Sequence, residues 1–277
     1  MSTTPRRRNP RAAIQRLLDC KRERRRIVAM TAYDVAFARI LEAAGVDLIL
    51  VGDSVGMAAL GYESTIPVTM DEMIHHARAV RRGAPETLVV LDMPFMSYHV
   101  SVEDALVNAG RALKEAGVEA VKAEGGHERT CAAIRAMVAA GIPVMGHIGM
   151  IPQSARGVAD FPAPGPDAGQ ADRVRAEAHA LEEAGIFSLV LDRLPAPLAA
   201  EISGSLAVPT VGIGSGSGCD GQVLVAYDAL GLHGGPEPKG LKRFAALHEA
   251  ALEGVKRFAR EVREGTFPGS EHSSAGD

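Results

Sequence analysis

From Ile27 onward the chain repeats one pattern: a short apolar run that ends in polar or glycine residues, then a helical stretch that closes on glycine. The runs are IVAMTAYD (27–34), DLILVGDS (47–54), TLVVLDMP (87–94), AVKAEGG (120–126), IPVMGHIG (142–149), SLVLDRLP (188–195) and VPTVGIGSG (208–216), with VLVAYDALG (223–231) as a weaker eighth. Between them lie helical patterns such as VAFARILEAAG (35–45), SVEDALVNAGRALKEAG (101–117) and ERTCAAIRAMVAAG (128–141). Gly45, Gly117, Gly141 and Gly185 fall where a helix stops in a left-handed cap. Ser101 with Asp104 reads as a helix start.

Runs that are apolar throughout, rather than alternating, belong to parallel strands buried on both faces. Seven or eight strand–helix units predict an α/β fold, a (β/α)8 TIM barrel with an N-terminal helix and C-terminal helices. The competing open, doubly wound sheet favours a phosphate-binding glycine loop after an early strand. GIGSGSG (212–218) follows the seventh run instead, and it lacks the Lys-Ser/Thr of a P-loop. The expected organisation is a basic tail and helix over 1–26, a single barrel over 27–267 and a disordered tail over 268–277.

Length and composition support that reading. With 277 residues, 47% of them hydrophobic, the chain can bury a large core, and at 4% aromatic that core must be aliphatic. A net charge of −4 argues against a general nucleic-acid or anionic-membrane binder. Residues 1–26 nevertheless carry ten Arg and Lys against Asp19 and Glu23, as a transit peptide, a nucleic-acid arm or a solvated tail with a short amphipathic helix would. The last is preferred. Cys20, Cys131 and Cys219 are odd in number and have no metal-ligand spacing, and neither a secretory segment nor a membrane-length apolar run is present. A reducing cytoplasm is the expected setting. RGVADFPAPGPDAGQAD (156–172), with its prolines and glycines, reads as a long loop: a lid, a binding loop or a surface insert.

Catalysis in such a barrel sits at the carboxyl ends of the strands. The polar residues there are Tyr33 and Asp34, Asp53 and Ser54, Asp92, Lys122 and Glu124, His147, Asp192, and Asp228. Each has a bland reading alone. Asp53 suits a strand-to-helix turn, Asp92 a loop cap, Lys122 and Glu124 a salt bridge, and His147 a turn between glycines. Tyr33 and Asp34 read as first-loop structure, and His75 and His76 as surface residues. Together they form a ring rich in carboxylates, which is costly to bury without a cation or substrate. Two carboxylates with open water positions suit Mg²⁺ better than zinc. Such an ion beside a lysine can chelate a 2-oxo acid and act as a Lewis acid on its enolate, while a remaining carboxylate serves as base. Asp192, ending an apolar run, is the candidate base.

The blocks TAYD (31–34), LVGDSVGM (50–57), STIPVT (64–69), AVRRGAP (79–85), LDMPFM (91–96), VKAEGG (121–126), GHIGMIPQS (146–154) and GIGSGSGCDGQVLVAYDALG (212–231) resemble the ketopantoate hydroxymethyltransferase family of the phosphoenolpyruvate/pyruvate barrel superfamily. The resemblance implies a magnesium-dependent transfer of a hydroxymethyl group from 5,10-methylenetetrahydrofolate to 3-methyl-2-oxobutanoate. The product is 2-dehydropantoate, for pantothenate and coenzyme A synthesis. It further implies that Asp53 and Asp92 bind Mg²⁺ with Glu124 near the ion through water. Ser54 would bind the substrate carboxylate, Lys122 its oxygen end, and His147 would line the pocket. Partners are then a small 2-oxo acid and folate, with no nucleic acid and no membrane, in a homo-oligomer that the family makes a decamer.

Three places depart from the family pattern. The strand-six block usually reads Leu-Glu-x-Val-Pro, and its glutamate is the base; here Asp192 stands there. The strand-five loop usually carries Gly-Gly-x-x-x-Gln-Gly-Arg/Lys, replaced here by RGVADFPAPGPD. The expected Pro-Lys-Phe near the end is Pro238-Lys239-Gly240. Two alternatives follow: a paralogous hydroxymethyltransferase or aldolase on another 2-oxo acid, and a non-catalytic barrel scaffold. Retention of Asp53, Asp92, Lys122 and Glu124 speaks against the scaffold. Related lyases and phosphonate-forming barrels would carry a Lys-Lys-Cys-Gly-His block, which is absent.

Overall fold

Eight parallel strands close into a barrel in which each strand pairs with the next in sequence and the eighth pairs back with the first. The computed structural model describes residues 10–154, 168–233 and 241–273. Helix α1 (Pro10–Glu23) precedes β1 (Ile27–Thr31), then come α2 (Val35–Ala43), β2 (Leu48–Val51), the short α3 (Val55–Ala58), α4 (Met70–Gly83) and β3 (Leu88–Asp92). Helix α5 (Val102–Arg111) runs into a π-helical turn (Ala112–Ala116) before β4 (Ala120–Glu124), α6 (Glu128–Ala139) and β5 (Val144–Gly149). A 3₁₀ turn (Pro152–Ser154) follows, then α7 (Ala168–Glu183), β6 (Ser188–Asp192), α8 (Ala196–Ser205), β7 (Thr210–Ile213) and β8 (Gly221–Leu224). The expected (β/α)8 architecture is therefore present.

Local chemistry explains the element ends. Asp34 caps α2 by accepting from the backbone of Ala36 and Phe37 at 2.7 and 2.9 Å. Ser101 caps α5 through the Asp104 amide at 3.0 Å, as its spacing suggests. Gly45, Gly117, Gly141 and Gly185 all have positive φ, the left-handed conformation that stops a helix at little cost only in glycine.

The barrel interior is aliphatic. Ile27, Leu48, Leu88, Ala120, Met145 and Val190 from successive strands share one cluster with Ala13, Leu17 and Cys20 of α1. Lys21 Nζ, on α1, bonds Asp220 Oδ2 at 2.8 Å and the Ser203 carbonyl at 2.7 Å. Asp220 lies just before β8, so α1 covers the barrel at the end where strands begin. The amphipathic pattern read in the basic amino end thus has a packing role, and burying a side chain such as Leu17 contributes about 1.5–3 kcal/mol. Only the opposite end of the barrel is left for chemistry.

The chain divides into two compact units, Met1–Val225 and Ala226–Asp277. All eight strands lie in the first. The second holds α9 (Ala226–Ala229), α10 (Leu247–Glu264) and a 3₁₀ turn (Ser270–His272), with Phe244 N bonded to Ala229 O at 2.7 Å. The eighth apolar run, read as one strand over 223–231, changes structure partway: β8 ends at Leu224, and Tyr227 and Asp228 are on α9. Short apolar runs do not separate strand from buried helix. Within the segment read as a loop over 156–172, residues 168–172 are helical, while 155–167 lie outside the described residues. Pro238, Lys239 and Gly240 lie outside them too, as do residues 274–277 of the tail. Among the described residues no helix is long and apolar enough to cross a membrane.

Candidate active site

The parity of each strand carries its apolar interior positions straight into polar ones at the carboxyl end, since alternate residues face the same side. Ile27 and Ala29 lead to Thr31, Leu88 and Val90 to Asp92, Ala120 to Lys122 and Glu124, Met145 to His147, and Val190 to Asp192. Strand register sets Asp92 beside Lys122, Glu124 beside His147, and Gly149 beside Asp192. On β2 the corresponding position is Gly52. A Cβ there would approach Ser54 Oγ to 2.7 Å and Asp92 Oδ2 to 3.5 Å. The glycine therefore lets Asp53 and Ser54 turn in against Asp92. Asp53, Asp92, Lys122, Glu124, His147 and Asp192 are all buried.

These side chains form one connected network. Asp92 Oδ2 accepts from the Asp53 amide at 3.1 Å, and Lys122 Nζ lies 2.7 Å from Asp92 Oδ1 and 3.7 Å from Glu124 Oε1. Glu124 Oε1 is 3.1 Å from His147 Nδ1, and His147 Nε2 is 3.7 Å from Asp192 Oδ2, an ionic contact beyond hydrogen-bonding distance. Among the described residues, Asp92 Oδ1, His147 Nε2 and Asp192 Oδ1 are buried without an aligned hydrogen bond. At 2.7 Å the Lys122 ammonium and Asp92 Oδ1 form a close charge-assisted pair.

Burial, reinforced by the neighbouring Glu124 and Asp92 carboxylates, pushes the Asp53 carboxyl up to about 7. Burial raises Asp92 as well, against the pull of Lys122. Burial alone would lower Lys122 and His147, but the surrounding carboxylates outweigh it: Lys122 is held above its ordinary value, and Glu124 above all brings His147 to about 9. Glu124 is held low, because His147 and Lys122 overcome the cost of its burial. Four carboxylates therefore face two cations. Among the described residues no three His, Cys, Asp or Glu side chains converge into a metal cage. The donor set is one of carboxylate oxygens, two of which lack aligned donors, and its excess negative charge fits a hard divalent cation that keeps water in its shell.

The end of β6 is clamped from both sides. Met150 N donates to the Asp192 carbonyl at 2.9 Å, and Arg193 N donates to Ile213 O at 2.8 Å. Ser215 Oγ donates to Leu191 O at 2.8 Å and accepts from Leu194 N at 3.0 Å. Arg193 sits in the left-handed region at φ 50°, a conformation disfavoured for its side chain. Asp192 is thus set by backbone contacts from β5 and from the loop after β7.

Every residue of the predicted site in the first unit is brought into this network or beside it. Ser54 Oγ lies 2.8 Å from Tyr33 Oη, which itself takes a hydrogen bond from Thr31 Oγ1 at 3.0 Å. Tyr33, read as loop structure, therefore touches the site, whereas Asp34 is indeed a helix cap. His76, read as a surface residue, is half-buried and holds the Tyr33 carbonyl through Nδ1 at 2.7 Å. Asp228 belongs to the second unit, where His233 Nε2 lies 3.4 Å away. Two residues were given no role by sequence reasoning: Gln153, which donates to Asp53 Oδ2 at 2.9 Å, and Tyr98, which donates to Gln153 at 2.9 Å. Their signal is position, in loops following β5 and β3 at the barrel's carboxyl end, and for Gln153 also its place in the block GHIGMIPQS.

Residues 11–270 match the family profile described as ketopantoate hydroxymethyltransferase. The chain is similar to the 3-methyl-2-oxobutanoate hydroxymethyltransferase of Syntrophus aciditrophicus, 51% identical over 91% of this chain and 93% of that one. It is similar to those of Moorella thermoacetica (51%, covering 95% and 97%) and Heliobacterium modesticaldum (52%, covering 92% of each). Among solved structures it resembles a phosphoenolpyruvate phosphomutase from Streptomyces platensis subsp. rosaceus, with a TM-score of 0.63, 17% identity and coverage of 92% and 88%. A 2,3-dimethylmalate lyase, described as a PEP mutase/isocitrate lyase superfamily member, gives 0.60, 19%, and 93% and 87%. At these identities the structural likeness concerns the fold alone.

Proposed function

The chain belongs to the ketopantoate hydroxymethyltransferase family, and on that premise we propose that it is a transferase adding a hydroxymethyl group to 3-methyl-2-oxobutanoate, giving 2-dehydropantoate. The observation that carries the reading is the unbroken buried network from Asp53 through Gln153, Glu124 and His147 to Asp192. On this reading the carboxylates at one end would bind a cation, and Asp192 at the other would accept a carbon-bound proton. The reading brings with it 5,10-methylenetetrahydrofolate as one-carbon donor, a homo-oligomer and a cytoplasmic setting, as the family resemblance implies.

Asp53 and Asp92 would hold Mg²⁺, with Glu124 reaching it through water. Bound there, the ion supplies Lewis-acid polarisation of the substrate's keto oxygen. The residues of the chain do the rest. Thr31 donates to Tyr33, which shares a hydrogen bond with Ser54; with Tyr33 as its donor, the Ser54 hydrogen would serve the substrate carboxylate. Lys122 stays protonated and faces the oxygen on which negative charge develops. Asp192 Oδ1, without a hydrogen bond among the described residues, takes the proton from C3 of the 2-oxo acid. His147, held on its Nδ1 side by Glu124, orients the Asp192 carboxylate. The C3 carbon then bonds to the one-carbon unit of the folate as both of that unit's bonds to nitrogen break: water supplies the hydroxyl oxygen and a proton to one nitrogen, the proton taken from C3 goes to the other, and tetrahydrofolate leaves.

The test is exchange of the C3 proton of 3-methyl-2-oxobutanoate, followed by NMR in D₂O with Mg²⁺ and without folate. Exchange is expected, and ketopantoate should form once 5,10-methylenetetrahydrofolate is added. Exchange with a different 2-oxo acid alone would move the reading to a paralogous enzyme. Exchange with none would reject enolate chemistry and leave a scaffold.

A further inference from the structure

Gln153 is 2% exposed, and both ends of its amide are engaged. Nε2 donates to Asp53 Oδ2 and to the Met93 carbonyl, each at 2.9 Å, while Oε1 accepts from Tyr98 Oη at 2.9 Å. Its backbone N–H points to Glu124 Oε2 at 3.4 Å. Tyr98 Oη in turn accepts from the Glu124 amide at 3.0 Å, so the phenol hydrogen goes onward, to Gln153 rather than to the Glu124 carbonyl at 3.4 Å. These partners admit one amide orientation only. Turning the group over would set Oε1 against two acceptors and waste the phenol hydrogen. Donor polarity therefore runs from the Glu124 amide through Tyr98 and Gln153 to the Asp53 carboxylate.

We infer that Gln153, oriented by Tyr98, is a positioning residue that fixes the Asp53 carboxylate for a divalent cation and couples it to Glu124 across the barrel mouth. The inference rests on the reading of Asp53 as a cation ligand. An unanchored aspartate must be ordered when the ion binds, and loss of such an outer partner typically weakens metal affinity about 10–100-fold. Gln153→Met removes the donor at nearly constant volume. Tyr98→Phe removes one oxygen and frees the amide to turn.

Mn²⁺ binding to the full chain, followed by electron paramagnetic resonance of the free ion, separates the possibilities for wild type, Asp53→Asn, Gln153→Met, Tyr98→Phe and the double variant. Loss of binding is expected in Asp53→Asn, a roughly tenfold or greater rise in Kd in Gln153→Met, and a smaller rise in Tyr98→Phe. The double variant should bind no more weakly than Gln153→Met, because the tyrosine acts through the glutamine. A Gln153→Met Kd within about twofold of wild type, beside an Asp53→Asn that no longer binds, overturns the inference and spares the ligand assignment. Binding by Asp53→Asn at wild-type affinity overturns the assignment itself. Thermal melting without metal checks folding. If Gln153→Met does not fold, Tyr98→Phe decides, and an unchanged Kd there overturns the inference.

Discussion

Nε2 of His147 lies 3.7 Å from Oδ2 of Asp192, and the same ring is held from its other side by Glu124. Among the described residues the other oxygen of Asp192, Oδ1, is buried without a hydrogen bond, so the carboxylate is steered by one oxygen and leaves the other unengaged. Asp192→Asn keeps the shape and removes the basicity. Exchange of the C3 proton of 3-methyl-2-oxobutanoate should fall about 10²–10⁴-fold, with melting temperature little changed. Asp192→Glu should retain measurable exchange, since the acid is only lengthened. Wild-type exchange in the asparagine variant would place the base elsewhere.

Lys122 is a buried cation between two buried carboxylates, 2.7 Å from Asp92 and 3.7 Å from Glu124. Lys122→Met leaves those charges uncompensated and should cost about 3–5 kcal/mol in unfolding free energy at neutral pH. The penalty should shrink on acidification. The folded-state values of Asp53 and Asp92 lie above their ordinary ones, so the folded protein takes up protons before the unfolded chain does. Stability from these groups is present below the unfolded value and lost as pH rises through the folded one, near 7 for Asp53. Urea titrations in chelator at pH about 5 and 8 would measure this, and an equal penalty at both would refute the electrostatic account.

What could be read from sequence is what burial makes conspicuous. Asp92, Lys122, Glu124, His147 and Asp192 interrupt apolar runs, which marks the strand ends, but in runs apolar on both faces their spacing from Val90, Ala120, Met145 and Val190 assigns them to the interior only once the barrel is closed. Gly117 and Gly141 mark helix ends because few other residues accept a positive φ. Gln153, though inside the block GHIGMIPQS, and Tyr98 carry no legible role for the opposite reason: they sit in loops with no periodicity, and their partners are 55 and 100 residues away in sequence. Tyr33 reads as loop structure because a loop tyrosine acquires further meaning only when the chain brings Ser54 to it. The helical character of α1 was legible, but not its place beneath the barrel, which follows from Leu17 meeting strands far along the chain.

The start of α4 offers a test away from the site. Thr69 Oγ1 accepts from Glu72 N at 3.2 Å, and Glu72 Oε2 accepts from Thr69 N at 2.7 Å, a reciprocal cap. Tyr62 Oη adds a hydrogen bond to Glu72 Oε1 at 2.6 Å, and this phenol is the main reason the Glu72 carboxyl lies below its ordinary value. Thr69→Ala should cost about 1 kcal/mol. With its folded value depressed, Glu72 stabilises above its unfolded value and loses that contribution as pH falls through the folded one. The stability gap between wild type and Glu72→Gln should therefore be largest near neutrality and close in acid. A gap that widens toward acid in paired melting curves would contradict the sign.

Gly149 pairs with Asp192 across β5 and β6 and has φ 104°. A Cβ added there would run into the Asp192 carbonyl oxygen, which accepts the Met150 amide. Gly141, with φ 83°, has open space where its Cβ would go. Alanine at either site should cost about 1–2 kcal/mol of backbone strain, but only at 149 must the strand carrying Asp192, the proposed base, shift. A displacement of about 1 Å is enough to cost roughly 10²-fold in rate. Gly149→Ala should therefore lose C3 exchange by about that factor while still folded, and Gly141→Ala should lose stability alone. Equal exchange rates in the two folded variants would mean that the placement of Asp192 does not depend on its contact with β5.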